Sequence, residues 1–171
     1  MNDDAVTITT IGSPPTPSEL SALLDLNNAH EIELSRLDGQ GLRRLVDQAF
    51  MATRIGLVEA FLISFDQDAG YEGVNFRWFR ERYARFVYVD RVVVAAEARG
   101  RGHARRLYAD LIDSARRNGH DRIVCEVNSE PPNPGSDAFH ASFGFQQVGE
   151  AAIHGGAKTV RYLSLAVQPV A

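Results

Sequence analysis

One short segment near the middle of the chain constrains its fold more than any other: Arg99-Gly100-Arg101-Gly102-His103-Ala104. An apolar, β-prone run over 86–94 precedes this segment, and a helix-like run over 105–118 follows it. Glycine tolerates a positive φ and has no Cβ that would obstruct a ligand. A glycine-rich turn between a strand and a helix lets backbone N–H groups converge on an anion. The segment therefore predicts a phosphate-binding turn.

The residues of this turn distinguish among the kinds of phosphate loop. A nucleotide P-loop has a Lys-Ser or Lys-Thr pair after its glycines, and this segment has none. A dinucleotide-binding turn has a third glycine, which would fall on position 105, where this chain has Arg105. The sequence instead matches the pattern Arg/Gln-x-x-Gly-x-Gly/Ala through Arg99, Gly102 and Ala104.

Length and cysteine content narrow the class of protein. A chain of 171 residues favours one domain over 1–171, which begins with a short strand and a Pro-rich lead-in within 1–17. The single cysteine, Cys125, excludes an intramolecular disulfide and fits a reducing compartment. No apolar run approaches the roughly 20 residues that span a bilayer, and the polar start, with Asp3 and Asp4, is not typical of a signal peptide. We therefore expect a cytoplasmic protein without membrane contact.

The distribution of charge indicates what kind of ligand to expect. A formal net charge of −4 argues against a general affinity for nucleic acid. Four arginines nevertheless cluster at the turn, at positions 99, 101, 105 and 106. A cationic cluster in an acidic protein indicates a localised anionic ligand. No His or Cys cluster has the spacing of metal ligands, so we expect no metal.

Hydrophobic periodicity and turn residues predict the secondary structure on both sides of the turn. Ser18 is the candidate N-cap of the first helix, and Asn133 with Pro134 is the candidate start of the last. The predicted helices span 19–28, 41–49, 102–118 and 134 to about 144. The predicted strands span 6–10, 50–55, 57–65, 86–94, 122–127, 145–150 and 159–167. The strand–helix–strand core implies a parallel strand pair flanked by antiparallel strands, which is a mixed α/β fold.

The segment 71–83 is unusual because five aromatic residues lie among its arginines: Tyr71, Phe76, Trp78, Phe79 and Tyr83. Two interpretations remain open. The segment is either a loop packed by its own aromatic side chains or a wall of a substrate pocket, since binding loops often carry aromatic residues.

The turn and its flanks resemble the GNAT superfamily of N-acetyltransferases over roughly residues 18–167. The Val92-Val93-Val94 strand end, the Glu126-Val127-Asn128 strand end and the closing Phe143-Gly144-Phe145 occur in the order that such a domain has. The stretches 88–94 and 128–134 are similar to a bacterial subgroup of predicted acetyltransferases. The resemblance implies an acyl-CoA N-acyltransferase fold: a mostly antiparallel mixed sheet with a splayed central parallel pair and flanking helices.

The resemblance also implies where acetyl-CoA, the cosubstrate, would bind. The backbone amides of Arg99, Gly100, Arg101, Gly102, His103 and Ala104 correspond to the family's pyrophosphate-binding turn. The main chain of Val92, Val93 and Val94 corresponds to the strand that pairs with pantetheine, where one N–H would stabilise the oxyanion. Asn128 corresponds to a side chain that binds the pantetheine arm; otherwise it only opens the following turn.

A departure from the family pattern concerns the proton donor to the leaving thiolate. Many members have a Tyr four residues before the Gly of the Gly-Phe pair, and this chain has His140 there. An imidazolium with a pKa near ~6.5 can protonate a thiolate whose pKa is near ~8.5. The alternative is a structural helix histidine. Ser136, one helical turn earlier, would orient the ring or contact CoA.

The base that takes the proton of the attacking amine has two candidates. Asp90 ranks first, because an acidic residue inside an apolar strand is costly to bury unless it is paired or takes part in the reaction. Strand alternation points the neighbouring Arg91 away from it. Glu126, on the same face as Asn128, ranks second. Glu31 and Glu33 could attract a cationic amine, or could simply be an exposed acidic helix end.

These observations predict an acetyl-CoA-dependent N-acetyltransferase that moves an acetyl group to a primary amine by direct attack in a ternary complex. The acceptor would be a small-molecule or peptide amine, near 71–83 and the first two helices. Two alternatives stay open: a non-catalytic acyl-CoA-binding regulatory module, or a partner-binding domain that uses the aromatic residues of 71–83. The resemblance is also compatible with a homodimer.

Overall fold

The computed structural model describes residues 6–171, so the part of the lead-in that contains Asp3 and Asp4 lies outside the described residues. Within 6–171, five α-helices and seven strands follow one another along the chain. The helices are α1 (Pro17–Asn28), α2 (Gly39–Gln48), α3 (Val74–Arg80), α4 (His103–Arg117) and α5 (Pro134–Phe143). The strands are β1 (Ile8–Thr10), β2 (Met51–Ile55), β3 (Ala60–Asp66), β4 (Val87–Val94), β5 (Arg122–Glu130), β6 (Gln146–Ile153) and β7 (Lys158–Ala166).

The strands form a mixed sheet in the order β1-β2-β3-β4-β5-β7-β6. The strands β4 and β5 pair in parallel, with Val87 opposite Ile123 and Tyr88 opposite Val124. The predicted mixed α/β class with a parallel pair is therefore confirmed. The chain divides into two compact units: residues up to Phe65 with Asp90–Leu111, and Asp66–Val89 with Ile112–Ala171.

In the first unit, side-chain caps start the two N-terminal helices. Thr16 accepts a hydrogen bond from the Glu19 amide, and the Glu19 carboxylate accepts one from the Thr16 amide, which is a capping box. Thr16 is therefore the N-cap, and the prediction of Ser18 is wrong by two residues. Asp38 caps α2 by accepting from the Gly41 amide, and Leu42, Leu45 and Val46 form the buried face of that helix.

The connection between β2 and β3, also in the first unit, is a four-residue turn that contains two left-handed residues. Gly56 has φ +58° and Val58 has φ +60°. A β-branched residue rarely adopts this left-handed conformation, because its Cβ crowds the backbone. The turn therefore begins β3 at Ala60, three residues later than the predicted strand, and places Glu59 directly before β3.

In the second unit, β5 pairs antiparallel with β7, and β7 pairs antiparallel with β6. The strand β5 runs to Glu130, past the predicted end at 127, because its ladder with β7 continues to the Glu130–Thr159 pair. Asn133 caps α5 by accepting from the Ser136 amide, with Pro134 in the first turn, as predicted. Gly144 ends α5 in the left-handed conformation at φ +92°.

The aromatic segment 71–83 is not a loop, because it contains the helix α3. The side chains of Phe76 and Phe79 are fully buried in the second unit. The ring of Trp78 stacks on Tyr162 with centroids 4.1 Å apart, and the Arg82 guanidinium lies 3.9 Å from the Trp78 ring centroid. The aromatic side chains of the segment pack on one another and on Tyr88 of β4 and Tyr162 of β7, so the predicted loop is a helix whose packing partners lie mostly outside the segment.

No helix among residues 6–171 combines the length and apolarity needed to cross a membrane.

Candidate functional site

The glycine-rich turn adopts the conformation that its sequence predicts. Gly100 and Gly102 have φ values of +78° and +76°, which side chains with a Cβ rarely adopt. A Cβ placed on either glycine would meet no other described atom within 4 Å. Backbone conformation therefore accounts for these two glycines, and close packing against another part of the protein does not. The space over the turn is open.

The helix α4 begins at His103, directly after Gly102 of this turn. The first four N–H groups of any α-helix have no acceptor within the helix, and the helix dipole adds a partial positive charge at the same end. The amides of the turn and of the first helical turn can therefore hold an anion such as a pyrophosphate.

Side chains around the turn contact residues that are distant from it in the sequence. The Arg99 guanidinium lies 3.3 Å from Nε2 of His30, whose Nδ1 lies 3.0 Å from the Leu26 carbonyl. Arg101 donates to a Glu59 carboxylate oxygen over 3.4 Å, and His103 Nε2 lies 3.0 Å from that same oxygen. His103 is buried, with 2 % of its surface exposed. The sequence did not point to Glu59, because this residue lies 42 positions before Arg101.

The strand β4 alternates in burial towards its C-terminal end. Val92 and Val94 are half-buried, whereas Arg91, Val93 and the side chain of Asp90 are buried.

Asp90, the first candidate base, is bound to Arg91. The Arg91 Nε donates to an Asp90 carboxylate oxygen over 2.7 Å, and each side chain is only 4 % exposed. The Arg91 Nη1 also donates to the side-chain oxygen of Asn27 over 2.6 Å. The prediction that Arg91 points away from Asp90 is therefore wrong, because the long arginine side chain folds back onto the neighbouring carboxylate.

Glu126, the second candidate base, has a different environment in the second unit. Tyr88 donates its hydroxyl hydrogen to a Glu126 carboxylate oxygen over 3.0 Å. Burial raises the pKa of Tyr162, and the negative charge of Glu126 raises it further. The Glu126 carboxylate thus accepts a hydrogen bond from a neutral hydroxyl, whereas the Asp90 carboxylate is held by a guanidinium.

Asn128 is half-buried near the end of β5, where it pairs with Val160 of β7. Cys125 of the same strand is buried.

His140 lies in a buried position on α5, with 4 % of its surface exposed. Its Nδ1 lies 2.7 Å from the Ser136 carbonyl and 3.3 Å from the Ser136 hydroxyl. Because a carbonyl oxygen only accepts, Nδ1 carries the proton. Burial lowers the pKa of His140 below its ordinary value of 6.5. The hydrogen bond to the Ser136 carbonyl and the charge of Asp137 raise this pKa, but by less than burial lowers it. The neutral ring in this form accepts at Nε2 and needs a second proton to donate there.

A cavity of about 660 Å³ lies in the first unit, next to the glycine-rich turn. Apolar side chains such as Leu26 and Val58 line it together with Asp25, Glu33, Glu97 and Arg99. Glu33 lines this cavity, whereas Glu31 forms an exposed ion pair with Arg36. No group of three His, Cys, Asp or Glu side chains in residues 6–171 is arranged to hold a metal ion.

Comparison with known proteins assigns the family. The sequence profile of the acetyltransferase (GNAT) family matches residues 45–145, which include the glycine-rich turn, Asn128 and His140. No curated protein sequence matches the chain.

Solved structures with the same fold cover almost the whole chain. A chain of the NatC complex bound to Gag peptide and CoA is 14 % identical, with a TM-score of 0.74 over 95 % of this chain and 99 % of that one. The structure of yncA from Salmonella typhimurium, with its cofactor acetyl-CoA, is 20 % identical, with a TM-score of 0.71 over 98 % of this chain and 97 % of that one. The ribosomal-protein-S18-alanine N-acetyltransferase from Escherichia coli is 15 % identical, with a TM-score of 0.67 over 96 % of each chain.

At these identities the structures establish the fold, and the family profile covers more than half of the chain. The protein belongs to the GNAT family of acetyltransferases.

Proposed function

We propose that this protein transfers an acetyl group from acetyl-CoA to a primary amine by direct attack in a ternary complex. The observation that carries the proposal is the turn of residues 99–104. Its two glycines are left-handed and have open space above them, and a helix of 15 residues starts directly after Gly102. That turn belongs to a chain of the GNAT family.

The residues of the turn fit a pyrophosphate. A Cβ at position 100 or 102 would occupy space that is otherwise free of described atoms, so a ligand can approach the backbone closely at both glycines. We propose that the amides of 99–104 bind the pyrophosphate and that Arg101 adds positive charge. Acetyl-CoA would supply the acetyl group as an activated thioester.

Other residues would hold the remaining length of the cosubstrate. We propose that the main chain of Val92, Val93 and Val94 pairs with pantetheine, and that a β4 N–H stabilises the developing oxyanion. The half-buried Asn128 would hydrogen-bond the pantetheine arm. Ser136 would hold the His140 ring through its carbonyl and hydroxyl, which lie within 3.3 Å of Nδ1.

We propose Glu126 as the group that accepts the proton of the attacking amine, directly or through water. What supports this choice is that its carboxylate accepts a hydrogen bond from the Tyr88 hydroxyl, whereas the Asp90 carboxylate is held by the Arg91 guanidinium. Asp90 remains the second candidate, because Arg91 Nε already holds one of its carboxylate oxygens in a buried ion pair over 2.7 Å.

We propose that His140 assists departure of the CoA thiolate. Because Nδ1 donates to Ser136 and burial keeps the ring neutral, donation from Nε2 requires the ring to take up a proton first, for example the one released by the amine. A Tyr at this position would donate its own hydroxyl hydrogen without that step.

The acceptor is proposed to be a peptide or small-molecule amine that is cationic before it reacts. The carboxylates of Asp25, Glu33 and Glu97 at the cavity of the first unit favour a positively charged ligand. Among the compared proteins, one was solved with a bound peptide and another is named for acetylating an alanine of a ribosomal protein. Both names make peptide N-termini the first acceptors to try.

A two-step experiment tests the proposal. Calorimetric titration with acetyl-CoA comes first, and an absence of binding at hundreds of micromolar would refute it. A panel of peptides, polyamines and small amines is then screened for thiol release. Binding without thiol release from any amine would instead support the non-catalytic acyl-CoA-binding module.

A further inference from the structure

The turn between β2 and β3 directs a carboxylate towards the glycine-rich turn. Residues 56–59 form this connection, and Gly56 and Val58 both have left-handed backbones. The Glu59 amide donates to the Ile55 carbonyl over 2.9 Å, and the Glu59 carbonyl accepts from the Ala95 amide over 2.8 Å. Glu59 is therefore fixed through its main chain at both the tight turn and the segment that leads into the phosphate-binding turn.

The Glu59 side chain contacts both neighbours of Gly102. One carboxylate oxygen lies 3.4 Å from Arg101 Nη1 and 3.0 Å from His103 Nε2. The His103 side chain is 1 % exposed, whereas that of Glu59 is 45 % exposed. Because the carboxylate only accepts, the imidazole proton lies on Nε2. His103 Nδ1 is buried and has no hydrogen-bond partner among residues 6–171, so Glu59 is the hydrogen-bonding partner that orients this ring.

We propose that Glu59 is a positioning residue for cosubstrate binding, which holds the backbone around Gly102 in its anion-binding conformation. The inference rests on the proposed function, because it assigns Glu59 to the turn that would bind the pyrophosphate of acetyl-CoA. Glu59 fixes the first residue of α4 and the arginine before Gly102, while Gly102 itself remains open to the ligand. A turn ordered before binding loses less conformational entropy when it binds.

A purely electrostatic role of Glu59 predicts the opposite change in the affinity for CoA. A carboxylate next to a pyrophosphate repels it, so removal of the charge alone would tighten binding. A positioning role predicts that removal of the hydrogen-bond acceptor weakens binding. The direction of the change in affinity therefore distinguishes the two roles.

The experiment compares Glu59→Ala and Glu59→Gln with the wild type. The dissociation constant for CoA is measured by calorimetry, and KM for acetyl-CoA and kcat are measured with an accepted amine. We expect Glu59→Ala to raise the dissociation constant and KM about tenfold, with kcat within about twofold. Glu59→Gln keeps one side-chain oxygen as acceptor and should rescue most of the affinity. Glu81→Ala is the control, because it removes an exposed carboxylate whose ion-pair partner is the adjacent Arg82.

A second readout does not depend on a ligand. Amide hydrogen exchange over 99–106 in the free protein should be about five- to tenfold faster in Glu59→Ala than in the wild type, and unchanged in Glu81→Ala. Tighter or unaltered CoA binding by Glu59→Ala, or unaltered exchange, would overturn the inference. If the wild type itself fails to bind CoA, the proposed function fails, and the exchange rates still decide whether Glu59 orders the turn.

Discussion

Asp90 and Glu126 are both carboxylates on strands, yet their neighbours give them different chemistry. Asp90 is bound to a guanidinium that also donates to Asn27, and both members of this pair are almost completely buried. Glu126 accepts from a tyrosine hydroxyl. In the proposed function Glu126 therefore ranks before Asp90, in the reverse of the order proposed from the sequence.

Substitution of each carboxylate tests this ranking. Glu126→Gln keeps the shape and removes the base, so we expect kcat to fall about 10²-fold, with the affinity for acetyl-CoA unchanged. Asp90→Asn leaves Arg91 without its anionic partner, so we expect a loss of unfolding free energy of about 3 kcal/mol and a smaller effect on kcat. Thiol-release kinetics and urea unfolding measure the two effects. A Glu126→Gln enzyme with more than half of the wild-type kcat would exclude Glu126 as the base.

The proton on His140 gives a second prediction at the level of single residues. His140→Phe removes both ring nitrogens, and we expect kcat to fall at least about tenfold because the ring can no longer protonate the thiolate. His140→Tyr supplies a hydroxyl donor and should retain more activity than His140→Phe. Thermal unfolding of both variants serves as the control for packing. Equal kcat values for His140→Phe and the wild type would make His140 a structural residue.

At the level of helices and strands, local signals predicted the elements and long-range contacts decided their details. Asn133-Pro134 and Gly144 mark the two ends of α5 by chemistry that acts within a few residues. The start of α1 was misplaced because Thr16 and Ser18 are both good caps, and only the reciprocal bond with Glu19 decides between them.

Contacts between distant parts of the sequence could not be predicted. Trp78 packs on Tyr162 and so closely over Gly149 that a Cβ there would clash with the indole ring. This packing accompanies the helix α3 in a segment that was predicted to be a loop. Glu59 is a further case, because only the left-handed backbone at Gly56 and Val58 directs it to the glycine-rich turn. Neither contact leaves a periodic or local pattern in the sequence.

The capping box of α1 gives a test at this level. Thr16→Ala removes the acceptor of the Glu19 amide, and we expect a loss of about 1 kcal/mol of unfolding free energy. Ser18→Ala should change it by less than about 0.5 kcal/mol, since an exposed helix position away from the cap matters little. Urea unfolding of both variants measures the difference. An equal cost for the two substitutions would contradict the assignment of Thr16 as the cap.

For the whole molecule, buried histidines determine how stability depends on pH. Burial lowers the pKa of both His120 and His140 below the ordinary value of 6.5. Below a pH of about 6.5, the unfolded chain therefore binds more protons than the folded one. The free energy of unfolding consequently falls as the pH falls through this range. Glu19 acts at lower pH, because its hydrogen bond with Arg54 lowers its pKa from 4.5 and its stabilising effect is lost on protonation.

Unfolding free energies at pH 7.5, 6.0 and 5.0 measure this dependence. We expect the wild type to lose stability steadily over this range and His140→Phe to lose it with a smaller slope, because one of the two shifted histidines is absent. Comparison of slopes removes the constant effect of the substitution on packing. Stability that rises towards pH 5.0, or an identical slope in the variant, would contradict the assignment of a neutral, buried His140.

The net charge of −4 and the arginines at the turn together describe an acidic protein with a cationic segment at 99–106. Such a distribution favours a discrete anionic ligand over a long polyanion. The family assignment makes acetyl-CoA that ligand in the proposed function, and the sequence could indicate the ligand because the turn is local. The acceptor amine was not predictable in the same detail, because the cavity proposed to receive it is assembled from segments as far apart as Ala22 and Arg99.

The most direct test of the central claim is a calorimetric titration of CoA and of pantetheine, which lacks the pyrophosphate, into three proteins. These are the wild type, Gly102→Ala and the control Gly155→Ala, whose glycine is also left-handed, at φ +66°, with no described atom within 4 Å of the position that a Cβ would take. We predict that the wild type and Gly155→Ala bind CoA much more tightly than pantetheine, and that Gly102→Ala loses at least about tenfold in CoA affinity. Equal CoA affinity in Gly102→Ala and the wild type, or equal affinity of the wild type for CoA and pantetheine, would contradict the claim that this turn binds the pyrophosphate.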